Sequence, residues 1–183
     1  FTAAIANRGW WVRPHVIKKI QDHDTIAKGF KHKNKTSIDP KYFEPIIEGM
    51  HDVYRDGTAS FLEIPDIEIC GKTGTAENPH GEDHSVFIAF APKNNPKIAI
   101  AVFIENAGFG GTWAAPIASL VIEKYLNRKI KDKDKEKRII EAKLSNLKEL
   151  YLNNNLIEDI SPISSFKLLK KIDSVKLEIY KNI

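Results

Sequence analysis

Two apolar runs separated by a short turn place the strongest constraint on the fold of this chain. Residues 85–91 and 97–104 are rich in Val, Ile, Ala and Phe, and the segment from Pro92 to Pro96 joins them. A connection of two to five residues between neighbouring strands is typical of an antiparallel hairpin. Residues 67–73 predict one more strand. The sequence therefore predicts an antiparallel sheet of three strands.

Helices are predicted on either side of this sheet. Asp39 followed by Pro40 is typical of a helix start, because Asp caps the first amides and Pro suits the first turn. Asp56 and Gly57 mark the end of that helix, and residues 112–126 predict another. The apolar residues at helical spacing in the first helix are Phe43, Ile46, Ile47, Met50 and Val53. Earlier segments predict a short helix end at 3–7, a strand-like run at 10–20 and an exposed hairpin or insertion at 21–37. The predicted fold class is α+β, an antiparallel sheet flanked by helices.

A change in composition near residue 127 divides the chain. Residues 1–127 carry 14 Lys and Arg against 15 Asp and Glu, whereas residues 128–183 carry 14 against 9. All ten glycines lie at or before Gly111. We therefore predict one domain over 1–127, a charged linker or helix over 128–143 and a separate tail over 144–183.

The segment from Lys72 to Thr75 is the strongest candidate for a binding site. It reads Lys-Thr-Gly-Thr and continues the strand predicted from residue 67. Side chains alternate along a strand, so Thr73 and Thr75 share one face. Gly74 between them lets another backbone approach closely. A cation and two hydroxyl groups on a sheet edge would suit a ligand that bears a carboxylate.

K-T-G is one of three motifs of the serine acyl-transferases that comprise penicillin-binding proteins and β-lactamases. Further blocks accompany it in this sequence. They are Ile5-Ala6-Asn7-Arg8-Gly9, Val12-Arg13-Pro14-His15, Gly49-Met50, Gly57-Thr58-Ala59, Gly71 to Glu77, His84, Phe87 to Pro92, Gly110-Gly111 and Ala114 to Ala118. On these residues the segment 1–127 resembles the distal half of the transpeptidase domain of a class B penicillin-binding protein, closest to the penicillin-binding protein 2 type.

The resemblance implies a fold, a reaction and a location. The fold would be a partial penicillin-binding or serine transpeptidase-like domain. The complete protein would be a peptidoglycan D,D-transpeptidase that cross-links stem peptides during cell-wall elongation, at the periplasmic face of the bacterial inner membrane and without a cofactor. Its ligands would be the D-Ala-D-Ala end of the stem peptide and β-lactams. The family's substrate-binding role falls on Lys72, Thr73, Gly74 and Thr75, and the backbone amide of Thr75 would join the oxyanion hole.

The two family motifs that carry the serines are missing from their expected place. No S-x-x-K or S-x-N lies before Lys72. Two S-x-x-K matches begin at Ser145 and Ser164, but they follow K-T-G, and the order of motifs does not readily change inside one fold. We therefore expect no catalytic residue within this chain, an inactive isolated chain, and the nucleophile and any membrane anchor upstream.

The tail resembles a leucine-rich repeat. Leu144, Leu147 and Leu150 recur 22 residues later as Phe166, Leu169 and Ile172. One repeat and a half cannot bury its own apolar face, since about three repeats are needed. The tail would then dock on a protein partner, extend into a longer array, or be a fused or frameshifted end. The plainer alternative is a helical extension from Glu136 to Leu150. A run of asparagines is expected to end any helix by Asn153 and to leave residues 153–163 as loop or turn.

Other candidate sites have simpler explanations. The segment from His80 to His84 lacks the spacing of a metal motif, so no metal is predicted, and His84 is expected to support the cleft wall. Cys70 is the single cysteine and is expected in the core. Basic residues after 128 alternate with acids, which argues against nucleic acid as a partner. With no apolar run of about 18 residues, this chain itself is expected to be soluble.

Three functions stay open from the sequence. D,D-transpeptidation is favoured by the blocks around Lys72. A non-catalytic interaction module would use the leucine-rich tail to recognise a partner. A β-lactamase or β-lactam sensor would share K-T-G but would not be expected to share the blocks at Arg13-Pro14 and Gly57-Thr58-Ala59.

Overall fold

The computed structural model describes residues 1–14, 32–141, 149–153 and 176–179, and from residue 138 onward it describes the backbone alone. The described elements are α1 (Thr2–Ala6), β1 (Trp10–Val12), β2 (Lys33–Lys35), a 3-10 helix (Pro40–Phe43), α2 (Glu44–Arg55), a 3-10 helix (Ser60–Leu62), β3 (Cys70–Ala76), β4 (His84–Ala91), β5 (Ile98–Ile104), α3 (Ala114–Asn127), α4 (Lys133–Glu141), β6 (Glu149–Asn153) and β7 (Lys176–Ile179).

A five-stranded sheet in the order β3-β4-β5-β6-β7 forms the centre of the fold. Its neighbours pair antiparallel, except that β6 and β7 run parallel. The predicted α+β class and the hairpin of β4 and β5 are thus confirmed. Within the described residues, β3 has β4 on one side and no strand on the other. An edge strand keeps unpaired N–H and C=O groups that another extended chain can pair with.

Both faces of the sheet are covered at β4 and β5, which explains why these two strands are almost wholly apolar. On one face α3 packs over a core that includes Phe87, Ile100 and Val102, each fully buried. On the other face α1 and α2 pack against a smaller cluster around Cys70 and Phe90. Burying one such large side chain contributes about 1.5–3 kcal/mol. This covered sheet is the rigid support for its free edge at β3.

The helix predicted from Asp39 begins later than expected. Asp39 Oδ1 accepts a hydrogen bond from the Lys41 amide at 3.0 Å, so it caps a 3-10 turn that precedes α2. The end near Asp56 is confirmed. Ile46 belongs to the predicted apolar pattern, but it lies on the surface and is 51% exposed. The inward stripe is instead Phe43, Ile47, Met50 and Tyr54.

The strand that carries Lys72 is displaced from its predicted bounds of 67–73. It runs from Cys70 to Ala76, because a turn at Asp66 with positive φ closes a separate bridge between Ile64 and Ile67. The Lys-Thr-Gly-Thr segment therefore lies within β3 and is not the end of a strand. Cys70 is buried as expected, and burial raises the pKa of its thiol to about 12.

The N-terminal region contains α1 and a small two-stranded sheet. β1 spans three residues of the run predicted at 10–20, and it pairs antiparallel with β2. β2 falls within the segment 21–37, where an exposed hairpin or insertion was expected, but its partner β1 lies outside that segment. Residues 15–31 lie outside the described residues.

The C-terminal region corrects two expectations. α4 lies within the segment 128–143, which was expected to be a charged linker or helix, but a helical extension from Glu136 to Leu150 is wrong, because residues 149–153 form β6. The sheet also has more than the three predicted strands, since β6 pairs with β5 in the register Val102 opposite Leu150. Pairing satisfies the N–H and C=O groups that β5 would otherwise leave open. Most of the repeat pattern, including Ser145 and Ser164, lies outside the described residues.

The junction after α3 is docked and is not a fully solvated linker. Ile130 is buried, and the Lys131 amide donates to the buried Glu123 carboxylate at 2.9 Å. This contact holds the start of the charged segment against α3.

Candidate active-site cleft

A cleft of about 770 Å³ lies along the free edge of β3. It is lined by two groups of residues that are far apart in the sequence. The lining residues are Thr58, Phe61, Lys72, Thr73, Gly74, Thr75, Phe109, Gly110, Gly111 and Thr112. All four residues predicted as a binding segment therefore lie together in one cleft.

The Lys-Thr-Gly-Thr segment forms the strand side of the cleft. Lys72 is exposed, and its Nζ donates to the Thr73 carbonyl oxygen at 2.6 Å. Thr75 is also exposed, whereas Thr73 is half-buried and its hydroxyl lies 3.1 Å from that of Thr58. A methyl group at Gly74 would meet Val86 Cβ at an ordinary 3.5 Å. The packing of the chain itself thus does not require glycine there.

The opposite wall is the connection between β5 and α3, residues 105–113, which we name the glycine loop. Gly110 lies directly on the sheet, because a methyl group there would overlap the carbonyl oxygens of Val86 and Gly74. Only glycine permits this close approach. The glycine loop therefore reaches the backbone of β3 at the centre of the Lys-Thr-Gly-Thr segment.

A buried serine fixes the glycine loop in this position. Ser85 Oγ donates to the Phe109 carbonyl oxygen at 3.0 Å and accepts from the Ala114 amide at 3.1 Å. Ser85 is fully buried and lies opposite Thr75 in the strand register. One hydroxyl group thus links the sheet, the loop and the first turn of α3.

Two exposed aromatic rings stand at the cleft. Phe61 is 68% exposed and Phe109 is 74% exposed, which is unusual for side chains of this size. The sequence analysis missed both residues, and it also missed the roles of Thr58 and Ser85. The sequence analysis used two blocks, Gly57-Thr58-Ala59 and Gly110-Gly111, only as evidence for the family resemblance and gave them no role in the site. No periodicity in the sequence distinguishes Phe61 and Phe109 from core residues.

The segment from His80 to His84, which the sequence analysis weighed as a metal site, spans the end of the β3–β4 connection and the first residue of β4. No group of three or more His, Cys, Asp or Glu able to hold a metal ion occurs in the part of the chain that the structure describes. His84 Nδ1 accepts from the Asn106 amide at 3.1 Å, so this ring contacts the glycine loop. The segment Asp22-His23-Asp24, expected as solvated loop, lies outside the described residues.

Comparison with known proteins identifies the family of the chain. Residues 1–123 match the family described as the penicillin binding protein transpeptidase domain. The chain belongs to this family. The resemblance found on the sequence blocks is thereby confirmed, including the penicillin-binding protein 2 type.

Curated relatives show how much of such a protein the chain represents. It is 35% identical over 140 residues to the peptidoglycan D,D-transpeptidase PbpA of Mycobacterium tuberculosis, covering 68% of this chain and 27% of that protein. It is 33% identical over 147 residues to the peptidoglycan D,D-transpeptidase MrdA of Acinetobacter baumannii, covering 68% of this chain and 21% of that protein. The chain thus spans about a quarter of the length of these relatives.

Solved structures give the same family. A crystal structure of Pseudomonas aeruginosa PBP2 in complex with WCK 5153 superposes with a TM-score of 0.60 at 33% identity, over 73% of this chain and 28% of that one. An imipenem acyl-enzyme complex of penicillin-binding protein A from M. tuberculosis superposes with a TM-score of 0.57 at 35% identity, over 67% of this chain and 28% of that one.

None of the helices in the described residues is both long enough and apolar enough to cross a membrane.

Proposed function

We propose that the chain supplies one wall of the active site of a peptidoglycan D,D-transpeptidase. The cleft on the free edge of β3 carries this proposal, because it brings Lys72, Thr73 and Thr75 together beside an unpaired strand edge. The reaction is acyl transfer between stem peptides, and a β-lactam would react in place of the D-Ala-D-Ala end. Both relatives named above are described as peptidoglycan D,D-transpeptidases, which supports this reaction class.

The strand edge would hold the ligand's backbone. An extended peptide can add to a free edge through main-chain hydrogen bonds, and side-chain contacts then give specificity. The chain's own packing leaves room for a methyl group at Gly74. We therefore attribute the glycine at this position to the close approach of the ligand. The exposed Phe61 and Phe109 would cover apolar parts of the ligand.

The hydroxyl groups would bind the ligand's carboxylate. A threonine hydroxyl has one proton to donate. If Thr58 donates to Thr73 across their 3.1 Å contact, the Thr73 proton stays free for a carboxylate oxygen. Lys72 adds positive charge nearby once its Nζ leaves the Thr73 carbonyl oxygen. By the same proposal the Thr75 backbone amide contributes to the oxyanion hole.

The serine nucleophile would come from the part of the complete protein that this chain does not contain. We also propose that this complete protein acts at the periplasmic face of the inner membrane during cell elongation. Residues 1–127 would form its transpeptidase part, and the match over residues 1–123 supports that boundary. The leucine-rich character of 144–183 and a protein partner for it rest on the 22-residue recurrence alone.

Neither alternative function is favoured by a specific observation. β6 gives no support to a separate recognition module in the tail, because this strand pairs with β5 in the sheet that carries the cleft. The relatives named above are transpeptidases and penicillin-binding proteins, which gives no support to a β-lactamase or a β-lactam sensor.

Replacing Lys72 tests the proposal. In the complete protein, Lys72→Ala is expected to slow acylation by a fluorescent penicillin by on the order of tenfold to a hundredfold, because a hydrogen bond to a charged group contributes about 1.5–3 kcal/mol. Stopped-flow fluorescence measures the rate, and circular dichroism checks that the fold is kept. The matched control is Lys97→Ala, an exposed lysine beside the far end of β4. Equal acylation rates in both variants would remove Lys72 from the site.

A further inference from the structure

Asp83 and the first two residues of β4 hold the glycine loop. The Asp83 carbonyl oxygen accepts from the amides of Ala107 and Gly108 at 2.9 and 2.8 Å. His84 Nδ1 accepts from the Asn106 amide, and Ser85 binds Phe109 and Ala114 as described above. We name Asp83, His84 and Ser85 the clamp. Its contacts run along the loop from Asn106 to Phe109, and Phe109 lines the cleft.

His84 is half-buried, and its side chain, like that of Ser85, bonds the loop backbone. Its ring packs on Phe103 with centroids 5.2 Å apart. A ring nitrogen that accepts a hydrogen bond carries no proton, so the proton of the neutral imidazole lies on Nε2. Asn106 itself has a positive φ of 52°, a conformation that is uncommon for a residue with a side chain. The His84 contact therefore holds the loop at a backbone position that needs support.

A second link ties the same asparagine to the β3–β4 connection. Asn78 Nδ2 donates to Asn106 Oδ1 at 2.6 Å, and the Asn78 amide donates to Asp83 Oδ1 at 3.1 Å. The connection after β3 and the loop after β5 thus form one hydrogen-bonded unit. A change at His84 would be transmitted along the loop to Phe109 and Gly110, only three and four residues beyond Asn106.

We propose that His84 is a positioning residue for the cleft. By accepting from the Asn106 amide, it holds the glycine loop at the distance from β3 at which Phe109 and Gly110 form the second wall. This role rests on the proposed function, because it assigns His84 to ligand binding in the same cleft. His84 makes no contact with the reacting atoms in this role.

Two substitutions at His84 test its hydrogen-bond acceptor and its aromatic ring separately. His84→Phe keeps a ring on Phe103 and removes the acceptor, whereas His84→Asn places a carbonyl oxygen near the position of Nδ1 and removes the ring. In the complete protein, His84→Phe is expected to weaken noncovalent penicillin binding, the step before acylation, by roughly three- to tenfold, the range for one lost hydrogen bond. The acylation rate constant at saturation is expected to change less than twofold, and His84→Asn to restore binding.

Hydrogen exchange provides a readout that does not depend on activity. Exchange measured by mass spectrometry on peptides that contain residues 105–109 is expected to be faster in His84→Phe than in the wild type and in His84→Asn. This measurement reports on the clamp even if the protein does not react with penicillin, which would instead count against the proposed function. Unchanged exchange in His84→Phe would overturn the proposal. So would equal defects in both variants, or a loss of thermal stability with binding unchanged.

Discussion

The 183-residue chain by itself is expected to form no covalent adduct with a fluorescent penicillin. Removing the nucleophile of a serine hydrolase lowers the rate by on the order of 10⁶. The sequence carries no S-x-x-K before Lys72 and no S-x-N at all. The cleft can then bind a ligand only on one side, and among the described residues no serine lines it. Gel fluorescence after denaturation measures the adduct, and the complete protein is the positive control.

The two late S-x-x-K matches provide the sharpest way to contradict this expectation. Ser145 and Ser164 follow the Lys-Thr-Gly-Thr strand, in the reverse of the family order. A labelled band that survives denaturation, with the adduct assigned to either serine by mass spectrometry, would mean that this chain contains its own nucleophile. The proposed division of the site between this chain and an upstream segment would then be wrong.

Replacing Gly110 is expected to disrupt the cleft more than any other single change in its walls. The added methyl group of Gly110→Ala would overlap two backbone oxygens and lie 3.0 Å from the Gly74 nitrogen. Strand backbone cannot move aside easily, so the glycine loop must lift from β3. Misplacing a site by about 1 Å can cost on the order of 100-fold in rate. Acylation of the complete protein should fall by at least that factor, and overpacking should cost about 1–3 kcal/mol of stability.

Gly49 provides a matched control for this experiment. It lies exposed on α2, and a methyl group there would meet no heavy atom within 4 Å. Gly49→Ala is expected to acylate at the wild-type rate. Stopped-flow acylation and thermal unfolding are measured on both variants. If Gly110→Ala acylates within twofold of Gly49→Ala, the close contact between the loop and the strand is not needed for the site.

Local sequence patterns predicted the structure correctly where a residue type or a short turn has one common structural role. The short turn between two apolar runs predicted the hairpin of β4 and β5, since few other structures bury both runs. The Lys72 to Thr75 segment was predicted to continue a strand, and in the structure it lies in β3 and lines the cleft. Asp56 and Gly57 correctly marked the end of α2.

The remaining features depend on contacts between distant segments. Ser85 gains its role from partners 24 and 29 residues away, and nothing in its neighbours distinguishes it from any strand serine. Phe109 has an apolar side chain but faces the cleft, because Gly110 directs the loop across β3. The strand at 149–153 was missed because its Leu-Tyr-Leu pattern fits a helix or a repeat equally well until a free edge of β5 is available to pair with it.

The most direct test of the central claim is a crystal structure of the complete protein acylated by penicillin. We expect the penicillin carboxylate to lie within about 2.6–3.2 Å of the Thr73 and Thr75 hydroxyl groups, with the ligand along the free edge of β3 and beside the glycine loop. An adduct whose carboxylate points away from β3, with the cleft between Lys72 and Gly110 empty, would contradict the account.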